Sequence, residues 1–94
     1  KAAFEGTGIT KVVLPERLTD IAEKMFLECR KLESIYIPKA VQTIGKEAFK
    51  DCSLRDVYYG GNEEQWKQLV RDHEELNYIT PHYNSSALLA TLSL

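Results

Sequence analysis

The sequence predicts an α/β fold: a right-handed solenoid of short parallel strands with a period of 22–23 residues and a C-terminal helical cap. Three observations predict it. The first is an echo: Leu14-Pro15, Leu18, Ile21-Ala22, Met25-Phe26 and Cys29 return 23 residues later as Ile37-Pro38, Val41, Ile44-Gly45, Ala48-Phe49 and Cys52. A fixed period of this length means that each unit hides its apolar face against the next. The second is apolar alternation inside the runs that precede each proline. The third is a helix-start signal after the last run, followed by an amphipathic stripe.

A partial copy opens at Ala3-Phe4 and runs through Ile9 and Val12 to Leu14-Pro15, and a later one continues past Cys52 as Leu54, Val57 and Tyr59. The strand runs are residues 10–15, 33–38 and 55–60. In these, Val12 and Leu14, Ile35 and Ile37, and Val57 and Tyr59 point inward, while Val13, Tyr36 and Tyr58 point outward. Pro15 and Pro38 stop the ladder, because proline donates no hydrogen bond. Residues 22–29 and 45–52 carry helix formers and the anchors Phe26 and Phe49, so one or two helical turns are expected on the other side of each coil.

After Gly60-Gly61, Asn62 suits an N-cap and Gln65 stands in capping-box position. Glu63 and Glu64 suit the positive end of the dipole. Trp66, Leu69, Val70 and His73 form one stripe, so a helix is expected over about 63–75 that covers the open end of the last rung. Asn77 to Tyr83 follows as an extended segment, which Pro81 makes an edge. The organisation is therefore repeats over 1–60, a cap over 61–84, and a tail over 85–94. That apolar tail could be added sequence, an onward segment cut short, or a strip that docks on the first rung.

Ninety-four residues allow one small domain, and residue 1 falls in mid-repeat with no initiator Met, as in a piece of a longer protein. A net charge of -2 and a pI near 5.7, without a Lys/Arg run, argue against nucleic acid or anionic membrane as the main partner. The longest apolar stretch, Ala87 to Leu92, falls far short of the roughly 20 residues a spanning helix needs, so no membrane insertion is expected.

No catalytic constellation, cofactor motif or metal site stands out. Cys29 and Cys52 repeat at one position and read as small core residues, since rungs about 4.8 Å apart are wide for a disulfide. A zinc site built from Cys29, Cys52, His73 and His82 lacks ligand spacing. His73 reads as a border residue of the helical stripe, and His82 as an edge-strand residue without an acid to orient it. Glu63-Glu64 and Glu74-Glu75 read as solvated charges, and Asn84-Ser85-Ser86 matches the short glycosylation sequon.

The pattern Ile37-Pro38, Val41, Ile44-Gly45, Ala48-Phe49, Cys52 and Leu54 resembles the BspA-like family of leucine-rich repeats. The preceding copy is looser, with Ala22 for the glycine and Met25 for the alanine. The first has Thr7 at the cysteine position, and the third is one residue shorter. Val57 to Trp66 resembles the segment with which many such arrays finish. The resemblance implies a non-catalytic binding or adhesion module of a secreted or cell-surface bacterial protein, meeting an extracellular protein or glycan. A spacer without a ligand, or an accessory carbohydrate-binding module of a surface enzyme, are the alternatives.

Stacked strands set outward residues into columns, which solenoids use for binding. One column holds Val13, Tyr36 and Tyr58; beside it stand Lys11, Ser34 and Asp56, then Thr10, Glu33 and Arg55. Val13, Tyr36, Tyr58, Lys11, Asp56, Glu33 and Arg55 are thus the candidate binding residues, the tyrosines serving as hot spots or as cross-strand pairs. Weak self-association is expected through the open N-terminal end, where Val12, Leu14 and Leu18 lack a preceding rung.

Overall fold

The computed structural model describes residues 8–86; the start of the partial first copy and tail residues 87–94 lie outside the described residues. Three strands, β1 (Lys11–Val13), β3 (Ser34–Ile37) and β5 (Asp56–Tyr59), form a parallel sheet in the order β1-β3-β5. Val12 pairs with Ile35 and Ile35 with Val57, so the register follows the 23- and then 22-residue offsets of the sequence. The residues expected inward do face the core: Ile35, Ile37, Val57 and Tyr59 are buried. Leu14 is buried as well, and Val12 and Leu18 are half-buried against the core cluster.

A second parallel pair joins β2 (Asp20–Ile21) to β4 (Thr43–Ile44). Two-residue strands are too short to announce themselves by alternation. Hydroxyls lock this pair: Thr19 donates to Asp20 Oδ2 at 2.9 Å and Thr43 to Asp20 Oδ1. These two hydrogen bonds, Thr43's first, hold the Asp20 carboxyl below its ordinary pKa.

The helical turns expected over 22–29 and 45–52 are not helices. Lys24, Glu28, Glu47 and Asp51 all take positive φ, from 58° to 63°, at places that repeat 23 residues apart. Left-handed residues set among ordinary turns swing the amides out of the helical direction and toward the next rung. Lys24, Phe26 and Glu28 N–H groups donate to Lys46, Ala48 and Lys50 carbonyls at 3.0, 2.8 and 2.8 Å. Helix propensity loses here because a third inter-rung ladder satisfies the backbone instead. Inside it Phe26 and Phe49 stack, centroids 5.3 Å apart and planes 11° apart.

No disulfide joins the cysteines, Cys29 buried and Cys52 half-buried, in this same core column. The Cys52 thiol donates to the Phe26 carbonyl at 3.0 Å.

The single helix expected over about 63–75 is two: α1 (Glu63–Leu69) and α2 (Glu74–Asn77). The capping box forms as read, with Asn62 Oδ1 accepting from Gln65 N at 2.9 Å and Gln65 Oε1 from Asn62 N at 2.8 Å. Trp66 and Val70 are buried, and Trp66 lies 5.3 Å from Tyr59 with its ring tilted 55°. The break lets Leu76 and Ile79 turn into the core that Trp66 and Val70 already fill. His73 stays at the border, Nδ1 3.8 Å from Glu75 Oε2. That carboxylate oxygen is buried without a hydrogen bond, so Glu75 is not the solvated charge expected. No helix among the described residues is long and apolar enough to cross a membrane.

The extended segment after α2 meets the sheet at one point, a parallel bridge between Tyr58 and His82. His82 N–H donates to the Val57 carbonyl at 2.8 Å and Tyr59 N–H to the His82 carbonyl at 3.0 Å. Ser85 closes the segment, its hydroxyl donating to the His82 carbonyl at 2.6 Å.

Candidate interaction face

The register aligns the expected columns. Lys11, Ser34 and Asp56 are partners across β1, β3 and β5, and so are Val13, Tyr36 and Tyr58. Thr10, Glu33 and Arg55 precede them, tied by Glu33 N–H to Thr10 O at 2.9 Å and Arg55 N–H to Glu33 O at 2.8 Å. Lys11, Glu33, Arg55 and Asp56 are exposed, and Val13 is 43% exposed, so this face mixes both signs of charge around an apolar residue.

Tyr36 is a correction. Only 2% of it is exposed, so it is no open hot spot. Its ring sits on the central strand between Val13 and Tyr58, and its hydroxyl donates to Glu16 Oε1 at 2.9 Å. Gly60 makes room at that end, since a Cβ there would lie 3.3 Å from the Tyr36 oxygen. Alternation reveals which face a side chain takes, whereas how far neighbours cover it depends on side-chain lean.

His82 is the second correction. The bridge to Tyr58 adds it to the column as a fourth member, and its imidazole stacks on the Tyr58 ring at 4.6 Å and 16°. An acid does stand beside it, Asp56 Oδ1 lying 3.6 Å from Nε2. The extended run at Asn77–Tyr83 was a signal for such a strand. Its register depends on how much chain the two helices consume, and the 22–23-residue period does not carry that.

Among the described residues no three His, Cys, Asp or Glu side chains come together to hold a metal ion. Burial pushes the Cys52 thiol up from 9.0 to about 11, so it stays protonated at neutral pH. Burial, then the bond to Glu16, pushes the Tyr36 phenol up from 10.0 to about 12. Each group keeps its proton in the folded chain at pH values where the unfolded chain has lost it. Their stabilising effect is therefore whole below about pH 9 and lost as pH rises from 9 to 12. The melting temperature is expected to fall across that window, and to fall less steeply for a Cys52→Ala, Tyr36→Phe variant, as thermal melts at each pH measure.

Residues 1–76 match a family model described as "BspA type Leucine rich repeat region (6 copies)". No curated protein and no solved structure matches the chain.

Proposed function

The chain belongs to the BspA-type leucine-rich repeat family, and from that premise we propose that it is a non-catalytic, adhesive module of a secreted or cell-surface protein. It binds an extracellular protein through the strand column at Val13, Tyr58 and His82. The observation that carries this reading is the stacked Tyr58–His82 pair, fixed by the backbone bridge and set in one column with exposed Val13 on the far side of Tyr36. Rings already held in place lose little entropy when a partner covers them. Lys11, Glu33, Arg55 and Asp56 supply a polar rim of mixed sign.

In this reading the stack is a right-handed solenoid, the hand parallel connections nearly always take, and α1 with α2 is its cap. Trp66 against Tyr59 supports the capping role. The non-catalytic reading rests on Cys52, a protonated thiol bonded to a carbonyl, and on His82, which faces a carboxylate and a ring. The surface location rests on the family alone.

The burial of Tyr36 favours a second reading, a spacer with no ligand, because it removes one of two aromatic anchors from the face. Binding of the immobilised chain to purified extracellular-matrix proteins, beside a Tyr58→Ser, His82→Ser variant, separates the two. The variant is expected to keep its melting profile, since both side chains are partly or fully exposed, and to bind at least about tenfold more weakly. Equal binding by both proteins rejects the strand column, and binding by neither leaves the spacer.

A further inference from the structure

The turn after β3 and the side of α1 leave a groove of about 510 Å³ that shares no residue with the strand column. One wall is built by Lys39 to Gln42. Gly60 lets this turn approach, since a Cβ there would lie 2.7 Å from Lys39 N, and Gln42 N–H anchors it to the Thr19 carbonyl at 2.7 Å. The other wall is Gln65 and Gln68, three residues apart and so on one face of α1, followed by Arg71 and Asp72. The capping box uses only the Gln65 oxygen, which leaves its amide N–H groups to the groove.

Two features point to a ligand. Lys39 and Arg71 line the groove and form no ion pair among the described residues. Against Asp72 alone they make it locally positive in a chain of net charge -2. Tyr59 reaches the groove from the core, only 2% exposed, and its hydroxyl has no hydrogen-bond partner among the described residues. Burial raises its pKa, so it remains a donor. The hydroxyl is not sealed in the core but opens onto the groove, where a ligand acceptor can reach it.

We propose that this groove binds a carboxylate-bearing saccharide, a uronate unit, whose carboxylate lies between Lys39 and Arg71 and whose hydroxyls meet Gln42, Gln68, Asp72 and the Tyr59 hydroxyl. Sugar hydroxyls both donate and accept, as amides and phenols do. The only apolar lining is Ala40, Val41 and Leu69, a patch for one sugar face rather than a pocket for a large peptide side chain.

The test is calorimetric titration of the full chain with tri-galacturonate at low salt, beside neutral maltotriose and a tri-glutamate peptide. The expected result is binding of tri-galacturonate alone, weakened about tenfold or more by Lys39→Gln with Arg71→Gln. Tyr59→Phe, which keeps the packed ring, is expected to weaken it about three- to tenfold, and Tyr58→Ser with His82→Ser to leave it unchanged. Equal binding of maltotriose or of tri-glutamate overturns the proposal, as does tri-galacturonate binding that ignores the loss of both cations.

Discussion

Phe49→Ala is expected to destabilise the chain by about 3–5 kcal/mol, the range for deleting a buried phenylalanine side chain. Phe49 is 2% exposed and stacks on Phe26, so its removal opens a void between two rungs rather than at a surface. A chain of 94 residues has a total stability on the order of 5–14 kcal/mol, so the loss takes from about a fifth of it to nearly all of it. Guanidinium unfolding followed by circular dichroism measures the effect. Phe49→Leu, which refills most of the volume, is expected to recover more than half. A loss below about 1 kcal/mol would show that the rungs do not depend on this stack.

Gly45→Ala is the second large effect, and its cause is backbone rather than side chain. A Cβ at Gly45 would stand 2.6 Å from Glu23 Cα and 2.7 Å from the Ala22 carbonyl carbon, too close for either to remain in place. One rung must move off the next, lengthening the 2.6 Å hydrogen bond from Gly45 N–H to the Ile21 carbonyl and loosening the β2–β4 pair. The expected cost is about 2–3 kcal/mol, as for overpacking in a core that cannot relax. Gly8→Ala is the internal control. Nothing lies within 4 Å of a Cβ at that position, so its effect is expected within about 0.5 kcal/mol. Thermal melts of the two variants decide it, and equal melting temperatures would contradict the close rung contact.

The main sheet was legible because its register is written twice, once in the 23-residue echo and once in the alternation at Val12, Ile35 and Val57. The capping box was legible because Asn62 and Gln65 act on each other three residues apart. Residues 22–29 were misread for a physical reason: composition reports helix propensity, whereas the conformation follows from amides that bond to the next rung. Nothing in the side chains of Lys24 or Glu28 announces positive φ. Tyr36 was placed on the correct face and credited with the wrong exposure, because Glu16 and two neighbouring strands cover it in space. His82 was missed because its register counts through α1 and α2. The groove at Lys39 and Arg71 lay beyond sequence reasoning, since it joins two segments separated by a whole strand.

The most direct test of the proposed binding face is amide chemical-shift mapping of the isotope-labelled chain on addition of purified extracellular-matrix proteins. Shifts confined to residues 11–13, 56–58 and 80–83 are the predicted result. Shifts centred on residues 22–29 and 45–52, where the rungs turn, would contradict the account and move the binding surface to the opposite side of the coil.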